Sequence, residues 1–148
     1  MQGYHLDDQQ AGRMNAALRL TPAVCVVLAV AGLLLASPVL FGVLAVLGGV
    51  GATFARGNLI DRFYNVAIRP LFDGPTLPPA PPPRRFSCAL AGAFSAVATA
   101  GFVLGAAWVG YLFGTFVILG SGLAATTHWC LGGWIYGRLF GRPGCETA

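Results

Sequence analysis

The chain has 148 residues, of which 56% are hydrophobic and 9% charged, with a formal net charge of +4 and a mean hydropathy of +0.71. A water-soluble domain of this length would be left without a polar surface, so the composition excludes an ordinary soluble globule and makes lipid the expected solvent. Every acidic and basic side chain lies outside Leu20 to Ala55 and Phe86 to Gly137; one crossing takes roughly 20 apolar residues, so each stretch reads as a helical hairpin.

In chain order, Asp7 and Asp8 can cap a helix that starts near Gln9, carries Arg13, Asn15 and Arg19 in its polar first turns, and crosses as helix 1 over 14–36. The long leader and the lack of a convincing small-x-small site after it argue against a cleaved signal sequence. Pro38 closes a minimal turn, and helix 2 returns over 39–55 through the glycine-rich Gly48-Gly49-Val50-Gly51. Both spans are short, and Arg19 and Arg56 are expected to snorkel toward headgroups.

Over 58–69, Asn58, Asp61, Arg62, Asn65 and Arg69 share one helical face, while Leu59, Phe63, Val66 and Ala67 share the other. This is the pattern of an amphipathic helix on the inner leaflet, contacting it through Arg62, Arg69 and Phe63, or of a plain cover for the bundle. Pro70 is expected to end that helix. A proline-rich linker follows over 75–85, extended at about 3.1 Å per residue and able to strap the chain across the bundle.

Helix 3 (86–107) and helix 4 (111–136) carry small residues at four-residue spacing, among them Gly92, Ala96 and Ala100, and Gly101 and Gly105. Lipid gives no hydrophobic drive between helices, so such faces pack by close backbone approach, within the bundle or on a partner. The expected fold is therefore all-α: a single polytopic membrane domain over 1–148, with four transmembrane helices in two hairpins and a cytoplasmic interfacial amphipathic helix. Its nine basic residues are all arginines, and four crossings put them on one side, with uncharged turns near Ser37-Pro38 and Trp108 to Tyr111 on the other. The positive-inside rule then places both termini and the central loop in the cytoplasm. The positive charge is spent on headgroups and does not point to nucleic acid.

The candidate chemistry is sparse. Proton relays and charge-gated transport lack their usual residues, because no carboxylate, lysine or arginine falls within a span. His128 is the one imidazole in a span. It reads either as a hydrogen-bonding side chain, to a helix carbonyl or to Thr126 or Thr127, or as the single axial ligand of a tetrapyrrole, with Ala124 one turn earlier leaving room for a flat ring. Cys25, Cys88 and Cys130 fall in the cytoplasmic halves of their helices, where thiols stay reduced and buried cysteine packs as a small hydrophobe. The competing reading is a thiol or metal cluster of these three, with or without His128, which requires the helix ends to converge.

Asp8-x-x-x-x-Arg13-x-Asn15, the Asn58 to Pro70 segment, Pro82 to Phe86, and Cys130-Leu-Gly132-Gly133-Trp-Ile-Tyr136 together resemble the bacterial membrane family catalogued as domain of unknown function 4395, over about Leu6 to Phe140. The resemblance implies a bacterial inner-membrane protein. The family's Cys-x-Gly-Cys-x-x-Tyr motif implies thiol chemistry beside thioredoxin-like or sulfurtransferase companions. Cys130, Gly132 and Tyr136 match that motif, but Gly133 stands where its second cysteine belongs. Two functions are thus expected: a non-catalytic accessory or scaffold subunit that packs on a larger membrane complex or on a second copy, or a membrane thiol protein serving a soluble sulfur-transfer or redox enzyme through Cys130. A single-histidine pigment-binding subunit is the third.

Overall fold

The computed structural model describes residues 8–54, 59–72, 76, 79–127 and 129–141. Every regular element among them is helical: α1 (Asp8–Leu34), α2 (Pro38–Thr53), α3 (Leu59–Phe63), a π-helical turn (Tyr64–Ile68), α4 (Arg69–Phe72), α5 (Pro82–Val103), α6 (Ala107–Thr127) and α7 (Leu131–Phe140). α5 and α6 are each long and apolar enough to cross a membrane, and α1 and α2 supply the shorter apolar stretches Leu18–Leu34 and Pro38–Thr53.

α1 and α2 form one hairpin and α5 and α6 the other, with α2 packed on α5 and α1 on α6. The hairpin tips lie at the same end, since Thr99 Oγ1 lies 3.5 Å from the Pro38 carbonyl and Phe41 stacks on Phe102 at 5.8 Å between ring centroids. Phe41 is fully buried, with Ala29, Leu44, Ala98 and Val117 around it. It fits because two helices give way to it. A Cβ on Gly32 would stand 2.8 Å from its ring, and one on Gly114 2.7 Å. The α2–α5 contact is closer still, backbone on backbone: a Cβ on Gly48 would come within 2.6 Å of the Gly92 Cα. This is the small-residue packing expected where side chains must vanish for helices to approach.

Several boundaries differ from those read in the sequence, each for a local reason. The second hairpin turns at Leu104-Gly105-Ala106 instead of at Trp108 to Tyr111, because Gly105 takes φ +77°, a conformation that ends a helix at little cost only for glycine. α5 begins at Pro82 and not after the linker, since prolines at the first helical positions forfeit only N–H groups that would have no helical partner. The helix after Asn58 runs through Pro70 to Phe72. Arg69 N–H bonds to the Tyr64 carbonyl five residues back, and that wider turn makes room for a ring that would strike an α-helical carbonyl. The expected helix 4 is two helices, for Thr127 Oγ1 accepts the Trp129 N–H at 3.2 Å and Cys130 caps a new helix in extended conformation.

Candidate functional site

At the end of the bundle opposite the hairpin tips, the start of α5 gathers the polar side chains. Because α5 starts on Pro82-Pro83, Arg84 and Arg85 fall in its first turn, one residue apart and pointing in different directions. Arg85 reaches α2, donating from Nε to the Ala52 carbonyl at 2.9 Å and from Nη2 to the Thr53 carbonyl at 2.7 Å. It thereby satisfies carbonyls that the end of α2 leaves without helical donors, where a cation is also favoured by the helix dipole.

Arg84 turns inward and is 4% exposed. Its Nη2 meets Asp61 Oδ1 at 2.9 Å, and Thr21 Oγ1 donates to the same oxygen at 2.6 Å. Asp61 and Thr21 are each buried as well, so a closed ionic contact ties the 59–72 helix to α1 and α5. Sequence patterning puts Asp61 on a polar face with Arg62. The structure keeps Arg62 and Arg69 exposed but rotates Asp61 into the bundle, and leaves Phe63 61% and Val66 71% exposed on the apolar side. An isolated helical pattern cannot show that a buried arginine waits for its carboxylate.

One turn further along α5 is the thiol region. Cys130 Sγ lies 2.7 Å from Ser87 Oγ. Ser87 Oγ is also 3.0 Å from the Pro83 carbonyl, so the hydroxyl stands between that carbonyl and the thiol, and either partner can supply the proton shared with Cys130. Gly132 must lack a side chain here, because a Cβ would stand 2.5 Å from Ser87 Oγ. At Gly133 a Cβ would lie 3.5 Å from Cys130 Cβ, inside the range spanned by disulfide partners. Cys88 faces α2, its Sγ 3.4 Å from where a Cβ on Gly51 would stand, and Cys25 packs against the buried core. No three His, Cys, Asp or Glu side chains among the described residues converge as a metal site does. His128, the candidate tetrapyrrole ligand, lies outside the described residues. α7 is held on α5 by aromatic contacts, Phe86 to Tyr136 at 5.7 Å and Phe86 to Phe140 at 6.4 Å.

The expected packing stripe on α5 divides. Gly92 is buried against α2 and Gly101 against the start of α6, where a Cβ would come within 2.7 Å of the Gly110 nitrogen. Ala96 and Ala100 are exposed, and Gly105 sits in the turn with open space around its Cα. Gly105 is therefore a helix stop and not a packing residue.

The fold and its buried polar end thus define a small all-helical protein with long apolar helices joined at one end by an ionic contact. The family described as Domain of unknown function (DUF4395) matches residues 15–140, and the chain belongs to it. No curated protein and no solved structure matches it.

Proposed function

We propose that this protein is a four-span integral protein of a bacterial inner membrane, with both termini cytoplasmic, acting as a non-catalytic accessory subunit of a larger membrane assembly or of a homo-oligomer. The observation that carries this reading is the outward-facing apolar surface of the bundle. Only 22% and 17% of the apolar stretches of α5 and α6 are buried within the chain, and Val27, Leu34, Val46, Phe116 and Leu119 point outward. Such a surface needs lipid or protein against it. The segregation of Arg84, Arg85 and Asp61 from the uncharged hairpin tips supports the orientation. The buried Arg84, Asp61 and Thr21 satisfy one another, which is the arrangement of a structural fastening.

The test is Ala96→Leu in the full chain, purified from its native membrane. Ala96 is exposed, so the variant is expected to fold as the parent does and to lose the co-purifying partner or the second copy. A parent protein that purifies alone as a monomer sinks the accessory reading, and one that stays in solution without detergent sinks the membrane reading.

A second reading rests on Cys130, a half-buried thiol at the start of α7 that could serve a soluble sulfur-transfer or thioredoxin-like partner. Among the described residues no histidine, lysine or arginine is placed in contact with this thiol to activate it. Loss of function in a Cys130→Ser variant that folds normally is the result that favours this second reading.

A further inference from the structure

α7 has two opposite faces. Gly132, Gly133, Tyr136 and Phe140 meet α5: a Cβ on Gly132 would strike Ser87 Oγ, one on Gly133 would lie 3.6 Å from Pro83 Cβ, and Tyr136 and Phe140 both contact Phe86. From Gly132 to Phe140 the helix advances about 12 Å, whereas Pro83, Phe86 and Ser87 lie within about 6 Å along α5. α7 therefore crosses the first turn of α5 instead of following the bundle axis. Its α5 partners are three and four residues apart, which is one flank of that helix, so the far face of α7 points away from the bundle sideways. Leu131, Trp134 and Arg138 make up that far face, and all three are exposed. Trp129, also exposed, packs on Trp134 at 6.2 Å, and the Arg138 guanidinium lies over the Trp134 ring at 5.2 Å. A guanidinium stacked by its plane keeps its edge N–H groups for an anion such as phosphate, and no carboxylate among the described residues pairs with this one. The crossing is level with Arg85, whose bonds close the end of α2, so it stands where the apolar helices give way to their polar ends.

We propose that α7 is an interfacial helix whose outward face, Trp129, Trp134 and Arg138, is seated in the phosphate-bearing headgroup layer beside the bundle. Bulk water would leave two indoles bare, and hydrocarbon would leave the guanidinium without an anion. The headgroup layer meets both needs at one depth, since an indole has an apolar ring and a polar N–H and the arginine brings the charge that complements phosphate. The proposal rests on the membrane reading above and adds to it that the chain leaves α6 along the membrane surface.

The test is tryptophan quenching in the full-length protein, reconstituted in vesicles of phosphatidylcholine and phosphatidylglycerol. Trp108→Phe, at an exposed position beside the other hairpin turn, leaves Trp129 and Trp134 as the only indoles. The vesicles carry phosphatidylcholine with a nitroxide either on the headgroup or near the end of an acyl chain. An interfacial helix seats its apolar face about 5–10 Å into the headgroup boundary, so the headgroup nitroxide should remove more of the emission than the deep one. Further substitution of Trp129 or of Trp134 by Phe should leave that order unchanged, each indole reporting the same depth. Stronger loss to the deep nitroxide overturns the proposal by placing α7 within the span. Quenching by aqueous iodide and by neither nitroxide overturns it by placing the face in water. Emission that resists all three quenchers overturns it too, since a protein surface then covers the indoles. In each of these outcomes the protein is held in the vesicles and the membrane reading stands; a chain that stays in solution without detergent removes both.

Discussion

At the scale of single residues, Asp61 decides the most. Its carboxylate is shared between a buried guanidinium and a buried hydroxyl, and removing one partner of a buried pair leaves the other charge uncompensated. Asp61→Ala is therefore expected to destabilise the fold by about 3–5 kcal/mol, read as a lowered midpoint of denaturant unfolding in detergent. Arg84→Met alone should cost comparably, while Asp61→Leu combined with Arg84→Met should recover part of the loss. A double variant as weak as the sum of the single ones refutes the pairing. Ser95 makes the opposite case. Among the described residues its Oγ is buried without a hydrogen-bond partner, so Ser95→Ala removes a desolvated hydroxyl and should be neutral or stabilising by about 1 kcal/mol. At Cys130, serine can keep the hydrogen bond to Ser87 and alanine cannot. Cys130→Ala is expected to be less stable than Cys130→Ser by about 1 kcal/mol, and the reverse order would mean that the bond contributes nothing to stability.

At the scale of elements, the α2–α5 crossing is the closest backbone-on-backbone contact among the described residues. Gly48 faces backbone, with the Cys88 carbonyl and the Gly92 nitrogen each 2.7 Å from an added Cβ, while a Cβ on the adjacent Gly49 would meet nothing within 4 Å. Backbone cannot rotate out of the way as a side chain can. Gly48→Ala should thus force the helices apart at a cost of about 1–3 kcal/mol. Gly49→Ala should cost nothing or even stabilise, through the higher helix propensity of alanine. Thermal unfolding of the two variants side by side is the check, and equal midpoints would mean that α2 and α5 do not cross there. At the start of α7, Gly133→Cys would place its Cβ about 3.5 Å from that of Cys130. Mild oxidation should then join the pair, detected by intact mass as the loss of two hydrogens. Persistent free thiols would show that the first turn of α7 is not held in this geometry.

At the scale of the whole molecule, the arrangement predicts how it sits in a bilayer. With the hairpin tips together at one end and the arginine-bearing helix starts at the other, reporters fused at Met1, near Pro79 and at Ala148 should all report cytoplasm. Insertions after Ser37 and at Gly105 should report the exterior. An exterior signal near Pro79 would overturn the four-span arrangement. The four apolar helices are unequal in length, and in the proposed four-span arrangement the shorter apolar stretches of α1 and α2 reach full thickness only if the arginines near their ends extend to the headgroups. The Arg85 bonds to the α2 carbonyls give that short helix a polar end within the protein itself.

The sequence by itself determined the all-helical class, the hairpin pairing and the position of the first turn, because these follow from local quantities: the length of uncharged runs, the spacing of small residues and the placement of prolines. It also carried the family, through motifs spread over nearly the whole chain. It misplaced what depends on one residue's backbone angle or one side chain's hydrogen bond, as at Gly105, at Thr127 before Cys130, and at Pro70, where a wider turn absorbs the ring. Only the tertiary structure could divide the small-residue stripe of α5, since the spacing that puts Gly92, Ala96 and Ala100 near one face does not say where a neighbouring helix crosses it. The same holds for the site. Asp61 and Arg84 read as a charge on the polar face of the amphipathic helix and as an arginine at the end of the proline-rich linker; their pairing follows from where α5 begins and how α3 docks. A helical pattern fixes which residues share a face, and packing alone fixes what that face meets.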